Sequence, residues 1–331
     1  MNKRKFLGTL GVVGLSVLMA LAPASNAAVD FVFNFTDASG VGFNAVGQTG
    51  IDRRAGLNQA AGIVEALFVN YNAVVNIDVN GSETNNETLA SAGSNFNGPF
   101  GPGFGNQGDV QIKILGGTDP SAGADGTVNW NFEDFSWEPL NDFQAGEQDL
   151  ISTAAHELLH AVGFSSDVAQ NGNDPGGNTP GNTGNWAPFD RFIADSTGSL
   201  VNSTSFALDG TRWNTASVGG TGATPAANGL YFDAPNATAA NGGNPVPLYS
   251  AAAWDDGSSL SHLDTAFFTG ANAKMMNHAS PVSEGLDIRV IDDITIGILK
   301  DIGFTQIVPE PAALAVLGFV GAVLIGRRRV G

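Results

Sequence analysis

The 331-residue chain contains no cysteine. That excludes disulfides, thiolate metal sites, cysteine nucleophiles and any latency switch built on a thiol. Exported, such a chain must be held by packing, or by packing and a metal, without covalent staples. Histidine is scarce at four residues, and the five Trp and three Tyr are scattered, with no aromatic ladder of the kind that would mark a polysaccharide-binding face. Basic residues are few, and six of the fourteen lie at the ends, at Lys3, Arg4, Lys5 and Arg327 to Arg329. Without these ends, and without Glu310, eight basic residues face 31 acidic ones, a net charge near −23. An acidic surface repels phosphate backbones, so no nucleic acid is expected as a partner, and cations are favoured.

The excess is in glycine, at 44 residues. Glycine loses the most conformational freedom on folding, so this composition places long loops between the elements of a packed core. With 43% hydrophobic residues the chain is long enough for one large domain or two small ones.

Residues 1–28 join a basic start to an apolar run from Phe6 to Leu21 and the small residues Ser25-Asn26-Ala27-Ala28. This is the pattern of a secretory signal peptide, with signal-peptidase cleavage expected after Ala27 or Ala28. The other end reads Val308-Pro309-Glu310-Pro311, then an apolar segment over residues 312–325, then Arg327-Arg328-Arg329. The apolar segment is short for a span of about twenty residues, and the arginines favour the cytoplasmic side. In this order the three parts, over residues 308–331, resemble the PEP-CTERM sorting signal. The resemblance implies an exosortase of a Gram-negative bacterium, transient membrane anchoring through 312–325, and delivery to the cell envelope or an extracellular, polysaccharide-bearing matrix. Residues 29–307 are then the exported domain.

Within that domain, Asp30 to Phe35 alternates as a half-buried strand does. Leu57, Ala60, Ala61, Val64, Leu67 and Phe68 recur at three and four, predicting an amphipathic helix from Arg53 to Asn70. Strand patterns follow at Ala73 to Val79, Asp109 to Leu115 and Thr127 to Phe132, with Gly- and Asn-rich turns such as Gly93 to Gly108 between them. A second helix is predicted over Ser152 to Val162, completing an α/β subdomain over 29–164. Residues 165–307 form a loop-rich subdomain, most open in texture over 165–259, in which Trp186 to Ile193 and Leu230 to Phe232 are expected to pack on the core. A last helix is predicted over Asp287 to Ile302, burying Ile291, Ile294, Ile298, Leu299 and Ile302 and ended by Gly303. Asp167, Asp174, Asp190 and Asp195 offer the oxygen ligands that Ca2+ takes, but no loop alternates as an EF-hand does, so they read as solvated carboxylates.

The chemistry concentrates in His156-Glu157-Leu158-Leu159-His160-Ala161-Val162-Gly163-Phe164. Residues four apart share a helix face, so His156 and His160 can present two imidazoles to one Zn2+ ion. Glu157, one step round, can reach a water on that metal and act as general base. A catalytic zinc takes three protein ligands and leaves one position open. No Glu lies between Glu157 and Glu284, so the third ligand is sought among His262, His278 and a few aspartates.

These residues resemble the leishmanolysin-like branch of the metzincin metallopeptidases. There the helix reads His-Glu, two residues, His, two residues, Gly-Phe; a distant third His follows, and a Met-containing turn passes beneath the zinc. The resemblance spans about Leu150 to Asn277. It implies that His156, His160 and His262 hold the zinc, that Glu157 is the catalytic base, and that Met276, or failing that Met275, is the Met-turn residue. It implies an α+β fold, in which a twisted mixed β-sheet and the active-site helix fill the N-terminal half and the loop-rich C-terminal half ends in a helix. The activity implied is hydrolysis of a protein or peptide substrate. Competing readings are a non-catalytic, metal-stabilised matrix or surface protein, and a binding module for polysaccharide or protein.

Overall fold

A computed structural model of the chain describes residues 28–82, 88–98, 101–140, 146–219, 229–279 and 288–308. The expected signal peptide apart from Ala28, and the expected sorting signal apart from Val308, lie outside the described residues, as does its apolar segment 312–325. Among the described residues no helix is long and apolar enough to cross a membrane.

The fold is α+β, with a mixed sheet in the N-terminal half and an antiparallel one in the C-terminal half. Strand β1 (Val29–Phe35) turns Val29 and Phe31 inward. Helix α1 (Gln48–Glu65) buries Leu57, Ala60, Ala61 and Val64 at three- and four-residue spacing, and returns the chain to β2 (Ala73–Asn80). β2 lies parallel to β1 in a register running from Val29 opposite Ala73 to Phe35 opposite Val79. β3 (Ala90–Ser94) is an edge strand of Ala, Ser and Gly, with no apolar period to betray it in the sequence, and its last residues fall where turns were expected.

Asp109 to Leu115, expected as a strand, is helix α2 (Asp109–Gly116). Val110, Ile112 and Ile114 alternate as in a strand, yet the buried positions are Asp109, Val110, Gln111, Lys113 and Ile114, with Ile112 only half-buried, which is helical spacing. Gly117, at φ 65°, ends the helix in the left-handed region that favours glycine. Lys113 then anchors the helix through ion pairs to buried Asp125 at 2.9 Å and to Asp119 at 2.8 Å. β4 (Gly126–Trp130) completes the first sheet in the order β1-β2-β4-β3, parallel to β2 and antiparallel to β3. A short parallel pair, β5 (Trp137–Glu138) and β6 (Gln148–Asp149), delivers the chain to helix α3 (Leu150–Val162).

The C-terminal half holds more regular structure than its composition announces. Strands β7 (Ile193–Asp195), β8 (Gly198–Ser199), β9 (Leu230–Phe232) and β10 (Val246–Leu248) form the antiparallel sheet, in the order β10-β9-β7-β8, with short helices α4 (Gly210–Ala216) and α5 (Pro235–Ala240) between its members. Trp186, Phe189, Ile193, Leu230 and Phe232 are buried, as expected, in one apolar cluster that also takes Leu57 and Ile77 from the first half. The last helix, α6 (Asp293–Asp301), is shorter than expected, because the Asp292 side chain caps it by accepting from Ile294 and Thr295 N–H. Its expected buried face holds, and Gly297 lets its backbone close on α5, where a Cβ would stand 2.8 Å from Ala237 Cα.

The expectation of solvated carboxylates fails outright for two of the four aspartates, and the other two, Asp167 and Asp195, are only half-exposed. Asp174 and Asp190 are buried, and Asp167 is half-buried. Asp174 accepts from Asn178 N at 2.7 Å and Asn185 N at 2.6 Å, standing in for a sheet ladder where the chain has none. Asp195 pairs with Arg212 Nε at 2.8 Å.

Candidate metal centre

Helix α3 begins at a polar clamp. The Asp149 carboxylate accepts from Ile151 N at 2.9 Å as the helix cap. It also receives Arg289 through Nε at 2.7 Å and Nη2 at 2.8 Å. Leu158, Leu159 and Val162 are fully buried, and the helix packs against α1 and β3. Gly163, at φ 121°, ends it, and Phe164 N–H closes onto Leu159 O at 3.0 Å. This turn swings the Phe164 carbonyl back beneath His160, whose Nδ1 donates to it at 2.7 Å.

The third imidazole comes from the other half of the chain. After β10, Leu260 N–H donates to Tyr249 O at 2.8 Å, and Tyr249 N–H to His262 O at 2.9 Å. Leu260 sits at φ 70° with its side chain fully buried, a left-handed conformation costing a leucine about 1 kcal/mol that its burial offsets. Leu263 N–H then donates to Met276 O at 2.7 Å, bringing the Met275–Asn277 segment alongside. The Met275 carbonyl accepts from His156 Nδ1 at 2.7 Å, and the Met276 side chain is fully buried.

His156, His160 and His262 meet at their Nε2 atoms, separated by 3.1, 3.0 and 3.0 Å. Every Nδ1 faces a backbone carbonyl, with His262 bonded to Ser258 O at 2.9 Å. A carbonyl only accepts, so each Nδ1 carries the ring proton and each Nε2 presents a lone pair. Burial, above all, lowers the His156 pKa to about 4. It lowers that of His160 to about 3, with the neighbouring His156 adding to the effect. His262 falls well below the usual imidazole value, through burial and then the two other rings. Three neutral rings thus point bare nitrogens at one spot, where no hydrogen bond among them is available. A metal ion answers that arrangement, and separations of this size let one ion reach all three nitrogens at the roughly 2.0–2.1 Å of zinc–imidazole bonds. The three histidines are the one group of this kind among the described residues. Glu157, largely buried, lies beside His156 on the same helix.

His278, the alternative third ligand, is elsewhere: its Nδ1 meets Thr265 Oγ1 at 2.7 Å and its ring stacks on Tyr249 with centroids 3.6 Å apart. The Asp264 carboxylate caps a turn at Ala266 N, 2.9 Å away. The backbone carbonyls of Phe164, Ser258 and Met275, which hold the three rings, have no sequence signal. Asp292 does have one, as an Asp just before an apolar-periodic run; besides capping α6 it accepts from Met275 N at 3.1 Å. No family model matches the chain, and no curated protein does.

Proposed function

We propose that this protein is an exported zinc-dependent endopeptidase of the cell envelope or extracellular matrix. One observation carries the reading: three neutral imidazoles converge through Nε2, each fixed by a carbonyl at Nδ1, with Glu157 next to the first of them. Zinc, when bound, supplies Lewis acidity that polarises a scissile carbonyl and makes water a better nucleophile near neutral pH. His156, His160 and His262 would hold the ion, and the Met275, Phe164 and Ser258 carbonyls keep those rings in the tautomer that binds it. Glu157 takes the proton from the attacking water and delivers it to the leaving amine. An acidic surface over the cleft would disfavour acidic substrates.

The test is Glu157→Gln, which keeps the shape of the side chain and removes the base. Zinc content should stay at the wild-type level while casein cleavage falls by roughly 10³-fold. Cleavage at the wild-type rate would refute the role of Glu157, and zinc without cleavage in the wild-type protein would favour a structural metal in a non-catalytic surface protein.

A further inference from the structure

A second group of buried ligands lies apart from the histidines and takes no part in their chemistry. Asp190 is fully buried: Ser166 Oγ donates to its Oδ1, and its Oδ2 accepts from Ala187 N at 3.0 Å and, more distantly, Asp167 N at 3.4 Å. Asp167 in turn accepts at Oδ2 from Asn106 Nδ2 at 2.8 Å. Asn106 N–H donates to Trp186 O at 3.0 Å, so Asn106 and Asp190 are pinned to the two sides of one peptide unit, Trp186–Ala187. Among the described residues, the ion pairs of Lys113, Arg212 and Arg289 all go to other carboxylates. Two carboxylates, Asp190 fully buried and Asp167 half-buried, therefore act on each other with no ion pair to either among the described residues.

An independent feature points to a ligand. Asn106 is only 2% exposed, and its Oδ1 is buried with no hydrogen-bond partner. The two heteroatoms of an amide are about 2.3 Å apart, so with Nδ2 at 2.8 Å from Asp167 Oδ2 the Asn106 Oδ1 lies within about 5 Å of that carboxylate oxygen. Leaving a buried amide oxygen unpaired costs about 1–3 kcal/mol. We propose that Asp167, Asp190 and the Oδ1 of Asn106 form a calcium site. Calcium takes oxygen ligands of this hard, partly anionic kind, and water can complete its shell. Burial raises the pKa of both carboxyl groups, and the charge of Asp167 raises that of Asp190 further, the unfavourable state that a divalent cation relieves. The site would clamp the segment just after the helix carrying His156 and His160. Ser166 N–H donates there to Ser261 Oγ at 3.1 Å, next to His262, so the ion would brace all three histidines from outside.

The experiment is a calcium chloride titration of the purified protein, freed of calcium on a chelating resin and supplied with one equivalent of zinc, read by calorimetry and thermal unfolding. One calcium per chain should bind, with the unfolding midpoint rising by about 5 °C or more at saturation. Asp190→Asn and Asp167→Asn should each abolish both responses, while Asp195→Asn keeps them. The rival arrangement is a proton shared by the two carboxyl groups. It would leave the wild-type midpoint indifferent to calcium and Asp190→Asn as stable as wild type, since the amide mimics the neutral acid, and that result overturns the site. Calcium binding that survives both substitutions overturns it too. Should Asp190→Asn fail to fold, the wild-type titration and Asp167→Asn still decide.

Discussion

Up to Gly163 the chain builds its part of the candidate metal centre from regular elements: a parallel-rich sheet, a helix across it, and two histidines one helical turn apart on α3. Beyond Gly163 it delivers His262 from a stretch with no strand or helix of its own, and holds that stretch with buried polar groups. Arg289 grips the cap of α3, Asp292 ties α6 to Met275, the Asp174 and Asp190 carboxylates gather loop N–H groups, and Asp167 accepts from the Asn106 side chain. Apolar packing tolerates volume-conserving change, whereas a buried polar clamp fails when one partner goes. The two halves should therefore break differently.

The largest effect is expected on activity. His262→Ala should abolish casein cleavage, a loss of roughly 10³-fold or more, although the residue lies 102 positions from His160. A variant retaining even a tenth of wild-type cleavage would mean that the irregular half does not supply the third ligand. Next is Arg289→Ala, which leaves the Asp149 carboxylate, only 1% exposed, without its cation. Loss of about 3 kcal/mol in urea unfolding is expected, and a loss under 0.5 kcal/mol would show that the clamp is inert. Gly297→Ala would press a methyl group into the backbone at Ala237 and should cost about 1–3 kcal/mol with little change in zinc content. The smallest effect, about 1 kcal/mol, is expected for Asp292→Ala, which uncaps α6 and frees Met275 N–H. Raised zinc dissociation in that variant, at nearly unchanged stability, would sharpen the contrast by showing the cap acting through the Met275 carbonyl on His156.

The legible parts of the sequence were those in which one period carries one meaning. His156, Glu157 and His160 stand out because metal chemistry and helix geometry demand the same spacing. β1, α1 and β2 stand out because each buries a single face. The sequence alone leaves the third ligand among His262, His278 and aspartates, since nothing local separates one imidazole from another across so long a gap. What separates them is tertiary: Ser258 O holds one ring toward the centre, and Tyr249 stacks the other away from it. α2 looks like a strand because Val110, Ile112 and Ile114 alternate while burial follows Val110, Lys113 and Ile114, and β3 leaves no trace because small residues carry no period. The burial of Asp174 and Asp190 was invisible for a related reason: an aspartate in a Gly- and Asn-rich loop looks solvated until the loop folds over it.

The most direct test of the central claim, that one ion joins the two halves at three histidines, is zinc content by elemental analysis of the purified wild type beside His262→Ala and His278→Ala. The account predicts one zinc per chain in the wild type, retained in His278→Ala and lost in His262→Ala. Zinc retained in His262→Ala, or absent from the wild type, would contradict it.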